Sequence, residues 1–414
     1  MSQANIHTSS AADQSTGNHT RLYFLDWVRI LAFFVLIFYH VGMYYVTWDW
    51  HVKSAAASTA IEPLMMMTSP WRLSLLFLIS GVASRFMLNK FKPGQFLRQR
   101  SWRLLVPLIF GMLVVVPPQT YCEVIEKLSY SGSYLDFMKL YLSGYHGFCK
   151  DGSCLALPTW NHLWFVVYLW CYTVLLTGVM FISRARFDVA AQWITSLLDG
   201  WKLMVIPLAL LALMRLAMFS LFPATHALVD DWYNHAHYFF LFVLGAVLAP
   251  QRKVWIDMES MRWTTLGLAL SCWALLTVYF ALPESFLANH QFEIWRNVQR
   301  VIYTCCEWSA IIAVCGFAHR HLKFDSNTRR YLTQAVFPFY LLHQTIIVVV
   351  AHTIKPANLA APIEAIVIIV MTFTFCFAMF EIVRRLPLLR PLFGIGRQEH
   401  EQNLRQSGEP IMAR

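Results

Sequence analysis

The stretch RLYFLDWVRILAFFVLIFYHVGMYY, residues 21–45, decides the fold class of this chain. It is long and apolar enough to cross a bilayer as one helix, which takes about 20 residues. The whole chain is similar in character, since 57% of its 414 residues are apolar and only 14% are charged, against roughly 25% charged in a soluble protein. The composition therefore predicts an all-α, polytopic integral membrane protein. It excludes a disordered chain, a nucleic-acid-binding domain and a small disulfide scaffold.

Further apolar segments of similar length follow along the chain. We predict ten transmembrane helices, at residues 22–46, 64–88, 104–121, 162–182, 202–222, 235–250, 263–282, 297–318, 334–354 and 359–383. The segments after even-numbered helices are rich in Lys and Arg, whereas those after odd-numbered helices are mainly acidic. Basic loops stay in the cytoplasm, so both termini are predicted to be cytoplasmic. This alternation explains the net charge of +10 without an anionic partner.

The ends of the chain are polar, and its centre forms one predicted domain. Residues 1–20 contain no Lys or Arg and are predicted to form a disordered cytoplasmic tail, because a signal peptide would begin with a basic patch. Residues 21–390 form a single transmembrane domain, and 391–414 form a second cytoplasmic tail. The longest outer loop contains Cys149 and Cys154, whose spacing leaves open whether they form a disulfide.

The first helix carries two ionisable residues at membrane depth, where such residues are costly and usually functional. Arg29 and His40 are eleven positions apart. At about 100° per residue they lie within about 20° of one another, and about 16 Å apart along the axis. Asp26 is three positions before Arg29 and can pair with it. We interpret this face as an anion-binding group toward the cytoplasm and a proton-transfer group toward the exterior. The structural alternative is a snorkelling arginine and a hydrogen-bonded interior histidine.

Four other predicted helices also carry Arg, His or Glu within the membrane. These residues suggest a polar cavity, either a transport path or an active site. Arg100 and Arg103, at the cytoplasmic boundary, either set the topology or clamp a phosphate. The candidates within these four helices are Arg72, Arg215, Glu307 and His343, and His162 is a further candidate at the outer boundary of the fourth predicted helix. No P-loop, GxGxxG or GxSxG motif is present. The pair His235 and His237 lacks the further ligands of a metal site, and no metal is predicted.

Five motifs in order resemble the membrane acyltransferase-3 family over nearly the whole chain. They are Arg29-x10-His40 in the first helix, LFLISG at 76–81, Arg100-x-x-Arg103, HLWF at 162–165 and FYLLH at 339–343. Within that family, WDWHVKS at 48–54, PWRLSLLFLISG at 70–81 and EIVRRLPLLRPLF at 381–393 are similar to a group implicated in adding succinyl groups to osmoregulated periplasmic glucans. Some members carry an extra soluble esterase-like domain, and this chain is expected to be the membrane module alone.

The resemblance implies an O-acyltransferase in the bacterial inner membrane. Its donor is expected to be cytosolic acyl-CoA, either succinyl-CoA or acetyl-CoA, with no permanently bound cofactor. The acceptor is expected to be a hydroxyl of a periplasmic glycan. A second copy of the chain and the glucan-synthesis machinery are the expected protein partners. The expected catalytic residues are His40, Arg29, Arg72 and His343, and Arg29, Arg100 and Arg103 are expected to bind the donor. The expected substrate-binding residues are Trp48, Asp49, His51, His162, Trp164 and Glu307.

Two other functions remain open from the sequence. Polar groups on many helices also suit a transporter or flippase of a glycan or acyl precursor. Against it, the two halves of the chain show no visible repeat and mid-helix prolines are sparse. The second alternative is a non-catalytic partner of a glucan synthase, which would tolerate loss of His40.

Overall fold

The structure, a computed structural model, describes residues 22–150, 152–283, 285 and 292–396. Its main helices are α1 (Tyr23–Tyr45), α2 (Glu62–Thr68), α3 (Arg72–Lys90), α4 (Pro93–Phe110), α5 (Pro117–Leu128), α6 (Tyr134–Leu142), α7 (Trp164–Leu197), α8 (Lys202–Met218), α9 (Trp232–Leu248), α10 (Arg252–Phe280), α11 (Glu293–His321), α12 (Asn327–Ile354) and α13 (Ala361–Arg385). Strands β1 (Cys149–Lys150) and β2 (Ser153–Cys154) form a short antiparallel hairpin. The predicted tail 1–20 and residues 397–414 lie outside the described residues.

The fold is all-helical, as predicted, and seven of the described helical segments are long and apolar enough to cross a membrane. An eighth candidate is the pair Pro93–Val115 and Pro117–Leu128, which is bent by 41°. A helix occupies each of the ten predicted segments, but α8 and α9 have only 17 residues each. The count of ten and the sides of the termini therefore stay predictions.

Two predicted segments are interrupted in the structure. The second is divided into α2 and α3, so that Arg72 begins α3 instead of lying well inside a helix. The fourth continues to Leu197, with non-helical backbone angles at Ser183, one residue after its predicted end.

Helix α1 lies at the centre of the bundle. It packs against α12, α11, α3 and α13, while α10 packs mainly on α11. At one end of α1, Asp26 pairs with Arg29 at 3.8 Å and with Arg329 of α12. Arg329 also pairs with Asp325 at 2.7 Å. Hydrogen bonds from Arg330 and Arg329 lower the pKa of Asp325 to about 2, so this carboxylate remains ionised at neutral pH. The charges therefore tie the start of α1 to the start of α12.

At the other end, α1 is fixed by a buried carboxylate on α13. Glu364 accepts hydrogen bonds from the hydroxyls of Tyr44 and Tyr45, both at 3.1 Å. Helices α5 and α6 and the hairpin lie in the loop between α4 and α7, and a disulfide joins Cys149 to Cys154. The structure thus answers the question that the spacing of these cysteines left open.

Helices α3 and α9 cross at two glycines. A Cβ atom at Gly81 would overlap the carbonyl oxygen of Phe242, and one at Gly245 would overlap that of Leu78. Small residues allow this close backbone approach between membrane helices. The glycine of LFLISG therefore serves helix packing, and the crossing holds Arg72 on α3 near the polar start of α9.

We expect Gly81→Ala to destabilise the protein by about 1–3 kcal/mol, because the backbones must separate to admit the methyl group. The measurement is the thermal unfolding midpoint of the purified protein in detergent. Gly178→Ala is the matched control, since nothing lies within 4 Å of a Cβ at that position. Equal midpoints for the two variants would contradict the close crossing.

Candidate active site

The site is centred on two histidines from different helices. Nδ1 of His40, on α1, lies 2.9 Å from Nε2 of His343, on α12. His343 is fully buried, whereas His40 is only partly buried. Packing of α1 against α12 brings together two of the four predicted catalytic residues.

Hydrogen bonds determine which nitrogen of each ring carries the proton. Nδ1 of His343 lies 3.1 Å from the carbonyl oxygen of Phe339 and 2.8 Å from that of Tyr340. Carbonyls only accept, so this nitrogen must donate, and Nε2 of a neutral His343 carries the lone pair. Nδ1–H of His40 therefore donates to it. The remaining nitrogen, Nε2 of His40, carries a lone pair and has no hydrogen-bond partner among the described residues.

A chain of polar side chains runs beside this pair. The side-chain amide of Gln344 donates to Nε2 of His51 at 2.9 Å and to Oε1 of Gln119 at 3.2 Å. Nδ1–H of His51 then donates to Oε2 of Glu123 at 2.6 Å. Lys127 donates to the other oxygen of Glu123 at 3.0 Å. A carboxylate and a lysine thus orient His51 from the α5 side.

His162 completes this region from the start of α7. Its Nε2 lies 3.2 Å from the carbonyl oxygen of Leu341, so Nε2 carries the proton. Its Nδ1 faces the amide nitrogen of Gln119 at 3.4 Å. The rings of His162 and His343 are 5.4 Å apart in an edge arrangement. His162 therefore borders the histidine pair.

The tryptophans and the acidic residue expected to bind substrate lie in different environments. Trp50, beside His51, is buried and nearly parallel to the His40 ring, with centroids 6.4 Å apart. Trp48 is half-buried, and Asp49 is exposed and pairs with Lys127 at 2.9 Å. Trp164 is buried and stacks on His226 at 4.4 Å instead of facing the surface.

Arg72 lies beside the histidine pair, but Glu307 does not. The Arg72 guanidinium carbon sits 3.2 Å above the ring of Tyr39, the residue before His40, and its charge acts on His40. Glu307 is fully buried and accepts from Nε2 of His237 at 2.7 Å. It therefore belongs to a separate cluster.

The residues expected to bind the donor lie away from His40. Arg29 belongs to the ion-pair group with Asp26 at the start of α1. Arg100 and Arg103 are half-buried on α4, which packs against the turn Pro391–Phe393. Because α1 is continuous, Arg29 and His40 occupy opposite ends of the same helix. The structure therefore has a basic region at one end and the histidine pair toward the other.

Two site residues, Gln119 and Glu123, were not predicted. The sequence identifies Glu123 only as one of the acidic residues of a predicted outer loop. The signal that could have revealed them is the spacing of the polar residues at positions 119, 120 and 123, which places them on one face of a helix. The structure buries all three on α5. Within the described parts of the chain, no group of three His, Cys, Asp or Glu side chains could hold a metal ion.

We expect Glu123→Gln to lower kcat/KM of the acyl transfer that the sequence resemblance implies by about tenfold, because a charged hydrogen bond to His51 becomes a neutral one. Glu126→Gln is the matched control. Glu126 lies on the same helix but pairs with His352 at 2.9 Å and with Lys355. Initial rates over a range of acceptor concentrations measure the effect. Equal losses in both variants would contradict a specific role for the pair of His51 and Glu123.

Comparison with known proteins decides the family. A family model described as an acyltransferase domain, acyltransferase-3, matches residues 22–381. The chain belongs to the acyltransferase-3 family. It is similar to proteins named Glucans biosynthesis protein C from Salmonella schwarzengrund (strain CVM19633), Salmonella typhi and Salmonella typhimurium. Each is 24% identical over 90% of this chain and 94% of the relative. No solved structure matches the chain.

Family membership and fold together give the general activity. An all-helical chain with several membrane-spanning candidates, matched over most of its length by an acyltransferase family, is a membrane acyltransferase. The resemblance drawn from the five motifs is thereby confirmed. His40, the histidine of the first motif, is the residue whose free imidazole nitrogen suits proton transfer.

Proposed function

We propose that this acyltransferase moves an acyl group, succinyl or acetyl, from cytosolic acyl-CoA to a hydroxyl of an extracytoplasmic glycan. The relatives named Glucans biosynthesis protein C support osmoregulated periplasmic glucan as the acceptor. The location is then the bacterial inner membrane, with both termini in the cytoplasm. The alternation of basic loops and the disulfide between Cys149 and Cys154 support this orientation, because disulfides persist outside the cytosol.

The observation that carries the proposal is the fixed tautomer of the histidine pair. Nε2 of His40 has a lone pair, and a hydroxyl placed there can give up its proton as its oxygen attacks the thioester carbon. The resulting imidazolium shares its Nδ1 proton with His343, whose own Nδ1–H remains bound to two carbonyl oxygens. These carbonyl dipoles stabilise the positive charge. When the C–S bond breaks, His40 returns the proton to the CoA thiolate, and the products are an ester and free CoA.

Neighbouring residues have roles that follow from their positions. Arg72 is close enough to act on His40, and its positive charge would stabilise the oxyanion of the tetrahedral intermediate. Arg29, Arg100 and Arg103 lie toward the end where CoA enters, and their guanidiniums suit its phosphates. On the acceptor side, Trp48, Asp49, His51, His162 and Trp164 are the residues proposed to bind the glycan. Flat aromatic faces suit sugar rings.

The test is a transfer assay with the purified protein in nanodiscs. Radiolabelled succinyl-CoA or acetyl-CoA is supplied with a β-glucan oligosaccharide, and label on the glycan is separated and counted. The proposal expects label on the glycan and release of one CoA thiol per ester formed. A transporter or flippase would move intact substrate across proteoliposomes without forming an ester, and that result would contradict the proposal.

A further inference from the structure

A second polar cluster is buried beside the histidine pair and has no role in the mechanism above except through Arg72. We define the arginine cluster as Arg72 and Ser74 of α3, Arg215 of α8, His237 of α9 and Glu307 of α11. Arg72 and Arg215 are 6% and 7% exposed, and Glu307 is 0% exposed. Charges at this depth are costly unless they are paired or serve a ligand.

The two guanidiniums lack the partners that such burial demands. Nε and Nη1 of Arg72 and Nε of Arg215 are buried without a hydrogen-bond acceptor. In the portion of the chain that the structure describes, neither arginine forms an ion pair with a carboxylate. Arg72 instead stacks on Tyr39, and Arg215 stacks on Tyr303 at 3.8 Å. Arg215 also donates to the Tyr233 hydroxyl at 3.0 Å. These contacts stabilise the flat faces of the guanidiniums but leave edge N–H groups unsatisfied.

The cluster carries surplus positive charge. Arg72, Arg215 and Glu307 all act electrostatically on Tyr303. Two arginines and one carboxylate leave a net charge of +1 even before His237, which donates Nε2–H to Glu307. Arg300 of α11 adds a further positive charge, 5.8 Å from the ring of Phe219 that also contacts Arg215. The missing component is therefore an anion.

The cluster is not a second catalytic triad, although it contains Ser, His and Glu. Ser74 lies 3.3 Å from Nε2 of His237, and Glu307 lies 2.7 Å from the same nitrogen. In a triad the acid and the nucleophile contact opposite nitrogens of the imidazole. Here Nδ1 of His237 is buried without a partner. The arrangement suits binding better than nucleophilic attack.

We infer that Arg72 and Arg215 form an anion-binding subsite beside His40 that takes a carboxylate or phosphate group carried by one of the two substrates. This inference rests on the proposed function. The oxyanion belongs either to the far end of the acyl group or to a charged substituent of the acceptor. Guanidinium edges bind both chemistries, usually through two parallel hydrogen bonds. Arg72 then links the subsite to the reacting centre.

The experiment compares matched substrates on the full-length protein in nanodiscs. The donor arm measures kcat/KM for succinyl-CoA and for butyryl-CoA, which has the same chain length without the carboxylate. The acceptor arm uses acetyl-CoA with a glucose oligosaccharide and with its phosphate monoester. The variants are Arg215→Met and Arg215→Lys, and the control is Arg186→Met, at an exposed position of α7.

We expect Arg215→Met to lower the preference for the anionic member of one arm by about 10- to 100-fold. Arg215→Lys should lose less of this preference. The control, Arg186→Met, should keep the wild-type ratio of kcat/KM between the anionic and the neutral substrate. A fall in the donor ratio assigns the anion to the acyl group, and a fall in the acceptor ratio assigns it to the glycan. Unchanged ratios in both arms would overturn the subsite. If the wild type transfers no acyl group from any donor, the proposed function is wrong, which is a different outcome from unchanged ratios.

A binding measurement decides the subsite independently of transfer. Thermal unfolding midpoints are recorded in succinate, in phosphate and in chloride at equal ionic strength. If the subsite exists, the unfolding midpoint of the wild type should be higher in succinate or in phosphate than in chloride. Arg215→Met should show no such difference. Identical midpoints in all three salts would overturn it. If Arg215→Met does not fold, Arg215→Lys, which keeps the charge but loses the planar fork, takes its place in both measurements.

Discussion

Replacing His40 by alanine should lower the rate of acyl transfer by about 10²- to 10⁴-fold, the range that a positioned general base contributes. The variant removes the imidazole nitrogen that is proposed to take the hydroxyl proton. It also removes the group that donates a hydrogen bond to Nε2 of His343. The effect should fall on kcat, because proton transfer belongs to the transition state and contributes little to binding. Steady-state rates with the purified variant measure it.

The matched control for this variant is His146→Ala. His146 is exposed in the loop between α6 and β1 and belongs to neither polar cluster. Its replacement should leave kcat within about twofold of the wild type, as expected for a surface residue with no part in the reaction. If both variants retain full activity, His40 is not the base and the proposed mechanism fails.

Replacing His343 by alanine should lower kcat by about 10²-fold or more, because the proton of His40 is no longer held on Nδ1. Without that acceptor the imidazole can place its proton on Nε2, the nitrogen that must receive the hydroxyl proton. His343→Gln offers a carbonyl oxygen in place of the lost nitrogen and should retain more activity than alanine. It cannot share the positive charge, so it should remain below the wild type.

The comparison of these two variants separates positioning from simple packing. Rates are measured between about pH 5 and 9, the range in which an imidazole titrates. We expect the wild type to lose activity toward low pH as His40 becomes protonated. We also expect the pH profile of His343→Ala to be shifted from that of the wild type. If alanine and glutamine cause equal losses with unchanged profiles, His343 only fills space.

Much of the fold follows from the sequence because a bilayer restricts the possibilities. Backbone polar groups must be satisfied within each segment, so long apolar runs such as Tyr23–Tyr45 form helices. The bend between α4 and α5 was less predictable, since Pro117 follows a run that stays apolar up to it. Helix α6 and the hairpin lie in the segment between α4 and α7, where hydropathy gives no signal. The crossing at Gly81 and Gly245 depends on residues far apart in the chain.

Several individual residues of the site could be predicted from the sequence, but the contacts between them could not. The motifs predicted His40 and His343, yet nothing in the sequence places two positions separated by 303 residues in contact. The pair of His51 and Glu123 was missed for the same reason, since they are 72 positions apart. Glu307 was assigned to substrate binding by its depth alone. Its hydrogen bond with His237 depends on how α9 is rotated relative to α11. The periodicity of the sequence does not give that rotation.

We propose that the protein acylates a periplasmic glucan with His40 as the general base. Mass spectrometry of periplasmic glucans from three strains tests this directly. These are the native host, a deletion strain, and the deletion strain carrying the His40→Ala variant at matched protein levels. We expect acyl substituents on the glucans of the host and none on those of the other two strains. The mass increment of the host glucans then identifies the acyl group. Identical glucan profiles in all three strains would contradict it.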